Sequence, residues 1–202
     1  MIPALSIAVT GLSSQLKKLD TITNNLANIN TAGFKSSRTL FQEQASGKTA
    51  PGLGTSISSI DRLFFQGALA ATENPFDLTI QGDGFFTVMR PDGSTAYTRD
   101  GSFRIDGARR IVTANGDILQ PQITIPIDAT SIQIAPDGTV SVTRPGATGP
   151  QVLGTLSLAK FSNPSGLVSL GQNLYAASAN SGAATTGAGG TGGRGTVHQG
   201  YL

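Results

Sequence analysis

The sequence predicts a mainly β protein with one N-terminal α-helix. An antiparallel β-sandwich or meander domain is expected, joined by an extended connector to a helical assembly segment. Three observations carry this. Apolar residues recur at heptad spacing over the first thirty positions. Short apolar or alternating runs follow from residue 73, punctuated by Asx-Gly dipeptides. Nothing alternates strand and helix in the manner of a βαβ unit.

The helical segment is predicted over residues 1–33. Ile2, Leu5, Val9, Leu12, Leu16, Leu19 and Leu26 fall three, four and seven residues apart, the seam of a coiled coil with Thr23 at its one polar position. Ile22 and Ile29 widen the seam. The opposite face carries Thr10, Ser13, Ser14, Lys17, Lys18, Thr21, Asn24, Asn25 and Asn28. Pro3 suits a first helical turn. Asn30, Thr31 and Gly33 stop the helix, with Gly33 as a left-handed cap. Isolated helices of this length are marginal in water, and Gly11 weakens this one further. The seam therefore calls for a partner, and the chain offers no second helix of similar pattern. The cluster Asn24, Asn25, Asn28 and Asn30 reads either as a fraying cap or as amide contacts to a neighbouring subunit.

Residues 34–72 lack a sustained period and contain Ser36-Ser37, Pro51-Gly52, Gly54 and Ser58-Ser59. They read as an extended connector with one or two short strands, such as 57–63. The β-rich domain is placed at 73–178. Its runs are 78–80, 85–89, 95–98, 103–105, 111–113, 123–125, 132–134, 139–143 and 152–161, with turns at Asp92-Gly93, Asp100-Gly101, Asp106-Gly107, Asn115-Gly116 and Asp137-Gly138. Such pairs are strong hairpin signals. Residues 179–202 read as a glycine-rich linker, with seven glycines among residues 179–195, and a terminal strand from 196.

Composition narrows the function. The 202 residues include no Cys, no Trp and one His, which excludes a disulfide framework and a thiolate metal site or nucleophile. Only 13% are charged and the net charge is +2. With no Lys/Arg-rich run, nucleic acid is not an expected partner despite a pI near 9.2. No stretch approaches a membrane span, and the N-terminus lacks the basic start of a secretory signal. His198 has no nearby nucleophile and reads as a surface residue. Each Asp before a Gly is explained by its turn; a paired-carboxylate hydrolase is the weakest reading. None of these loops has EF-hand spacing. Gly82-Asp83-Gly84 has no Gly-Lys-Ser/Thr after it and is no phosphate loop. Neither a cofactor nor a small-molecule substrate is expected. The seam fits a membrane surface poorly, with two Lys and no aromatic, and a helical bundle well.

Ala8-x-x-Gly11-Leu12, Asn24-Asn25-Leu26-Ala27-Asn28 and Thr31-x-Gly33-Phe34-Lys35 resemble the N-terminal signature of the bacterial flagellar rod and hook proteins. The resemblance continues through Asp77-Leu78-Thr79-Ile80, Gly82-Asp83-Gly84-Phe85-Phe86, Tyr97 to Phe103 and Val112 to Gly116, and closes on Gln199-Gly200-Tyr201-Leu202. From Tyr97 to Pro126 it is most similar to the distal rod branch. The resemblance implies a non-enzymatic structural subunit of the basal-body rod that polymerises helically with copies of itself and neighbouring rod or hook subunits. It implies passage through the flagellar export apparatus to the periplasm without a cleaved signal. It also implies that Leu5, Val9, Leu12, Leu16, Leu19, Asn24, Asn25, Leu26, Asn28, Gly33 and Phe34 lie at subunit contacts. Family members continue past Gln-Gly-Tyr-Leu into a long helix that pairs with the first, so a missing C-terminal helix is expected. The connector over 41–72 looks shorter than in distal rod proteins. A proximal rod or hook-type paralogue, or a secreted β-rich binding or adhesive module, are the alternatives.

Overall fold

The computed structural model describes residues 3–45 and 52–202. Ile2, the first seam residue, and Pro51 lie outside them. The chain divides into two compact units, residues 1–65 and 66–202. It is mainly β with one N-terminal helix, and all its strand pairings are antiparallel.

Unit one holds α1 (Pro3–Ala27) and a hairpin of β1 (Ser37–Glu43) and β2 (Thr55–Arg62). Ser37 pairs with Arg62 and Glu43 with Thr55, with a bulge after Leu40. The extended connector expected here is in part this hairpin. β2 stands where a short strand was expected. β1 carries no clean alternation (Ser-Arg-Thr-Leu-Phe-Gln-Glu) and is held by cross-strand pairing, which local pattern does not reveal.

Unit two begins with β3 (Leu78–Gln81), β4 (Phe85–Met89), β5 (Thr95–Thr98), β6 (Arg104–Ile105), β7 (Ile111–Val112) and β8 (Ile118–Gln120). Next come β9 (Ser131–Ile134), β10 (Thr139–Thr143), β11 (Gln151–Thr155) and β12 (Leu158–Lys160). A short 3-10 turn, Pro164–Gly166, precedes β13 (Val168–Gly171), β14 (Leu174–Ala176), β15 (Thr185–Gly187) and β16 (Thr196–Gln199). The main sheet runs β13-β14-β5-β4-β8-β7-β6, with β12 bridging β4 and β15. A three-stranded sheet runs β11-β10-β9, and β16 pairs β3. The apolar run 152–161 is thus two strands in different sheets, parted at Leu156-Ser157. Residues 123–125 make only a bridge, Arg110 to Thr124, while the adjoining 118–120 form the strand.

β4 explains why the unit coheres. Phe86 and Val88 point into the main core with Leu78, Leu119, Val140 and Leu158. Phe85 takes the other face, edge-on to Phe161 at 5.7 Å and Tyr175 at 6.1 Å. Period-two alternation therefore fills both faces. The carboxylates of Asp92, Asp100, Asp106 and Asp137 each accept the amide of the residue two positions on, at 2.8 to 3.0 Å. These are Asx turns. Gly93, Gly116 and Gly138 adopt the positive φ that their turns require, whereas Gly101 and Gly107 do not.

Residues 179–195, expected to be a loose linker, are folded. The Arg194 guanidinium donates to the carbonyls of Thr185, Thr186 and Thr191. Gly189 N donates to Asp137 O, and Gly195 N to Asp83 O. A side chain on Gly195 would meet Gln81 O at 2.2 Å. The glycines here permit close backbone packing rather than freedom.

These turns set an acid response. Serine donors hold Asp92 below the ordinary carboxylate range, the backbone amide and guanidinium of Arg110 do so for Asp106, and the amide and hydroxyl of Thr139 for Asp137. A depressed folded value means stability fully present above the unfolded value and lost as pH falls through the folded one. Unfolding free energy is therefore expected to be flat above about pH 5 and to decline below it. Denaturant titrations at several pH values check this; equal stability at neutral pH and at roughly pH 2.5, below the ordinary carboxylate values, would contradict it.

Candidate functional site

Residues two positions apart on an α-helix stand about 200° apart around its axis. On α1 this separates Leu5, Leu12, Leu19 and Leu26 from Ile7, Ser14, Thr21 and Asn28, two stripes of the same seven-residue period on opposite sides. Only the second stripe, with Thr10 and Asn25 beside it, is turned inward.

That inward stripe is held by polar groups. Ser14, 5% exposed, donates its hydroxyl to Thr55 O at 3.1 Å. Thr21 donates to Lys17 O, so at its 2.9 Å contact with Thr39 the Thr39 hydroxyl is the donor. Asn25 Nδ2 donates to Ser37 O at 2.8 Å, and Ser37 N donates to Asn25 Oδ1 at 2.9 Å. The side-chain amide thus pairs with β1 as a neighbouring strand would. A side chain on Gly54, whose φ is +114°, would lie 2.1 Å from Thr10 Oγ1. The Lys18 ammonium sits 6.0 Å from the Phe41 ring centre.

The apolar stripe faces outward. Leu5, Val9, Leu12, Leu16, Leu19, Ile22, Leu26 and Ile29 are each between 51% and 72% exposed. Covering the open half of eight such side chains would stabilise a complex by on the order of 10 kcal/mol. Contiguous exposed apolar rows of that length are uncommon on a monomeric globular surface. The hairpin holds the helix by its polar side and leaves its apolar side exposed.

The remaining expected site residues close the helix. Asn24 O accepts both the Asn28 amide and Asn28 Nδ2, and Thr31 donates to Asn28 Oδ1 at 3.4 Å. Gly33 adopts φ +69°, and Phe34 N donates to Thr31 O. Asn24 and Asn30 are exposed, while Asn25 is engaged within the chain. The strand partners of the polar stripe, Ser37, Thr39 and Thr55, carried no local signal for this docking. The repeat of Ser14, Thr21 and Asn28 was the trace available. His198 Nε2 lies 3.1 Å from Thr196 Oγ1, its strand neighbour two residues back.

Asn25→Ala removes both hydrogen bonds to Ser37, a loss of about 1–3 kcal/mol. Amides over residues 10–28 are expected to exchange with deuterium several-fold faster while unit two is unchanged. Unaltered exchange in α1 would contradict the docking role of Asn25.

A long apolar helix face in one unit and a turn-rich β-domain in the other define a structural subunit. Residues 5–35 match the family described as flagella basal body rod protein, and residues 79–142 the one described as flagellar hook protein FlgE/F/G D1 domain. The flagellar basal-body rod protein FlgG of Buchnera aphidicola from Acyrthosiphon pisum is 42% identical over all of this chain and 84% of its own length. That of Caulobacter vibrioides is 40% identical over 90% of this chain and 76% of its own. The flagellar hook protein FlgE of Borreliella burgdorferi is 36% identical over 59% of this chain and 31% of its own. The chain belongs to the FlgG family of flagellar basal-body rod proteins. It is a structural protein of a self-assembling family, not an enzyme.

Proposed function

We propose that this chain is an axial subunit of the distal flagellar rod. It polymerises helically with copies of itself and with neighbouring rod or hook subunits, and the apolar face of α1 is the principal contact. Leu5, Val9, Leu12, Leu16, Leu19 and Leu26 lie at that contact, with Asn24, Asn28, Gly33 and Phe34 at its end. Asn25 supports the contact by fixing α1 on β1. Residues 1–33 are the assembly segment, and head-to-tail contacts generate the tube. The subunit reaches the periplasm through the flagellar export apparatus with its N-terminus uncleaved.

One observation carries the reading: an eight-residue apolar face held outward by the polar stripe behind it. The test is to isolate basal bodies from cells making the full gene product and to measure its intact mass. The reading expects the protein in the rod with its N-terminal segment present. Its absence from basal bodies would overturn the function, and a shortened N-terminus would overturn the export route.

A further inference from the structure

Gly82-Asp83-Gly84, which is no phosphate loop, has a chemistry of its own. In an Asp-Gly pair the glycine amide nitrogen can close on the aspartate side-chain carbon, because glycine has no Cβ to crowd the approach. The reaction needs a carboxyl free to turn onto that nitrogen and an amide not already donating. The chain holds five Asp-Gly pairs, beginning at Asp83, Asp92, Asp100, Asp106 and Asp137, and the fold treats them unequally. Gly93 N donates to Arg90 O at 2.9 Å and Gly138 N to Ala135 O at 2.8 Å. The Asp100 carboxylate holds the amide and hydroxyl of Ser102. That of Asp106 holds the amides of Ala108 and Arg110 and the Arg110 guanidinium. Asn115-Gly116, which would release ammonia instead of water, has its Gly116 amide on Thr113 O at 3.0 Å.

Asp83 meets both conditions. Its side chain is 73% exposed, and its carboxylate makes no Asx turn; its one partner among the described residues is Lys160 Nζ, at 3.3 Å. The Gly84 amide donates no hydrogen bond among the described residues. The same residue is also a junction. Asp83 O accepts Gly195 N at 2.6 Å. Lys160 reaches from the Asp83 carboxylate to Gly193 O, donating there at 2.8 Å.

We propose that Asp83 is a modification site: the one Asp-Gly pair at which the folded chain isomerises to isoaspartate, releasing the glycine-rich segment from the β3–β4 turn. Gly84 N attacks Asp83 Cγ in its carboxylic acid form. The amide proton and the carboxyl hydroxyl leave as water, and a succinimide ring closes. Water then adds at the Asp83 main-chain carbonyl carbon and breaks its bond to Gly84 N. The product is linked through the former side chain and carries a free α-carboxylate. One water leaves and one returns, with no oxidant, reductant or change of mass. The main chain becomes one methylene longer, and the carbonyl that held Gly195 becomes part of a carboxylate. Residues 193–195 thereby lose their hold on the turn. None of this depends on how the chain assembles.

The test ages the purified, unsubstituted chain for weeks near neutral pH, once folded and once in denaturant. Isoaspartate is then labelled with an isoaspartyl methyltransferase and located by peptide mapping. In the folded chain, label at Asp83 is expected to exceed that at Asp92, Asp100, Asp106 and Asp137 at least tenfold. In denaturant, where the fold no longer discriminates, the five pairs should label within a few-fold of one another. No label at Asp83 in the folded chain, or comparable label at another of these aspartates, overturns the site. An equal preference for Asp83 in denaturant overturns the fold as its cause. The isomerised fraction, separated by ion exchange, should exchange the Gly195 amide with deuterium several-fold faster than the unmodified chain. Unchanged exchange there overturns the release.

Discussion

Leu19→Asp is expected to reduce incorporation into rods by at least about 100-fold, equivalent to roughly 3 kcal/mol per subunit, while the free chain stays folded. Leu19 is exposed at the middle of the α1 seam, so in the isolated chain the new carboxylate remains in water and costs little. In the polymer the same group would be enclosed among apolar side chains, and burying an unpaired charge costs several kcal/mol. Every subunit would carry the defect. The readout is the amount of chain in isolated basal bodies beside the melting temperature of the purified protein. Normal incorporation would mean that this face is not a subunit contact.

Gly101→Ala is expected to destabilise unit two by about 4 kcal/mol, among the largest losses a single methyl produces. The added Cβ would lie 1.5 Å from Leu78 O. Leu78 N donates to Gly101 O at 3.0 Å, and Asp77 bridges Ser102, so relieving the clash breaks this junction. Gly107 is the control: it too follows an Asp, but its Cβ would meet nothing within 4 Å and its φ is not positive. Gly107→Ala should leave stability within about 1 kcal/mol of wild type. Denaturant unfolding of both variants checks the pair, and a Gly101→Ala protein as stable as wild type would contradict the account.

That contrast shows what the sequence could and could not disclose. Asp-Gly pairs announced turns, and at Gly93 and Gly138 the expected backbone geometry is present. At Gly101 the same dipeptide marks a close approach of the β5–β6 connection to β3, which no local pattern encodes. The glycines of 187–195 were misleading for the same reason: composition predicts looseness, but Arg194 and the β3 backbone use the missing side chains as packing space. The apolar stripe of α1 was plain because leucines at heptad spacing have one physical reading. The polar stripe is as regular, yet hydroxyls and amides suit water, caps and backbone partners alike. Only the register of β1 and β2 shows that Ser14, Thr21 and Asn25 anchor the helix. The exposed apolar face was therefore legible, and what orients it was not.

The same logic explains why the hairpin contact is polar. An apolar stripe on both sides of α1 would leave the helix two equivalent ways to dock, and the stripe now exposed could be buried in the free chain. Hydroxyls and one amide matched to backbone groups fix a single orientation at modest strength. The larger apolar area stays exposed in the free chain.

Hydroxyl-radical footprinting of the native protein tests this most directly, because it needs no substitution. In the free chain Leu5, Leu12, Leu16 and Leu19 are expected to be modified rapidly, and in isolated rods their modification should fall at least tenfold while exposed loop residues of the β-domain keep their rates. Equal modification of these leucines in both states would contradict the account, as would protection already complete in the free monomer.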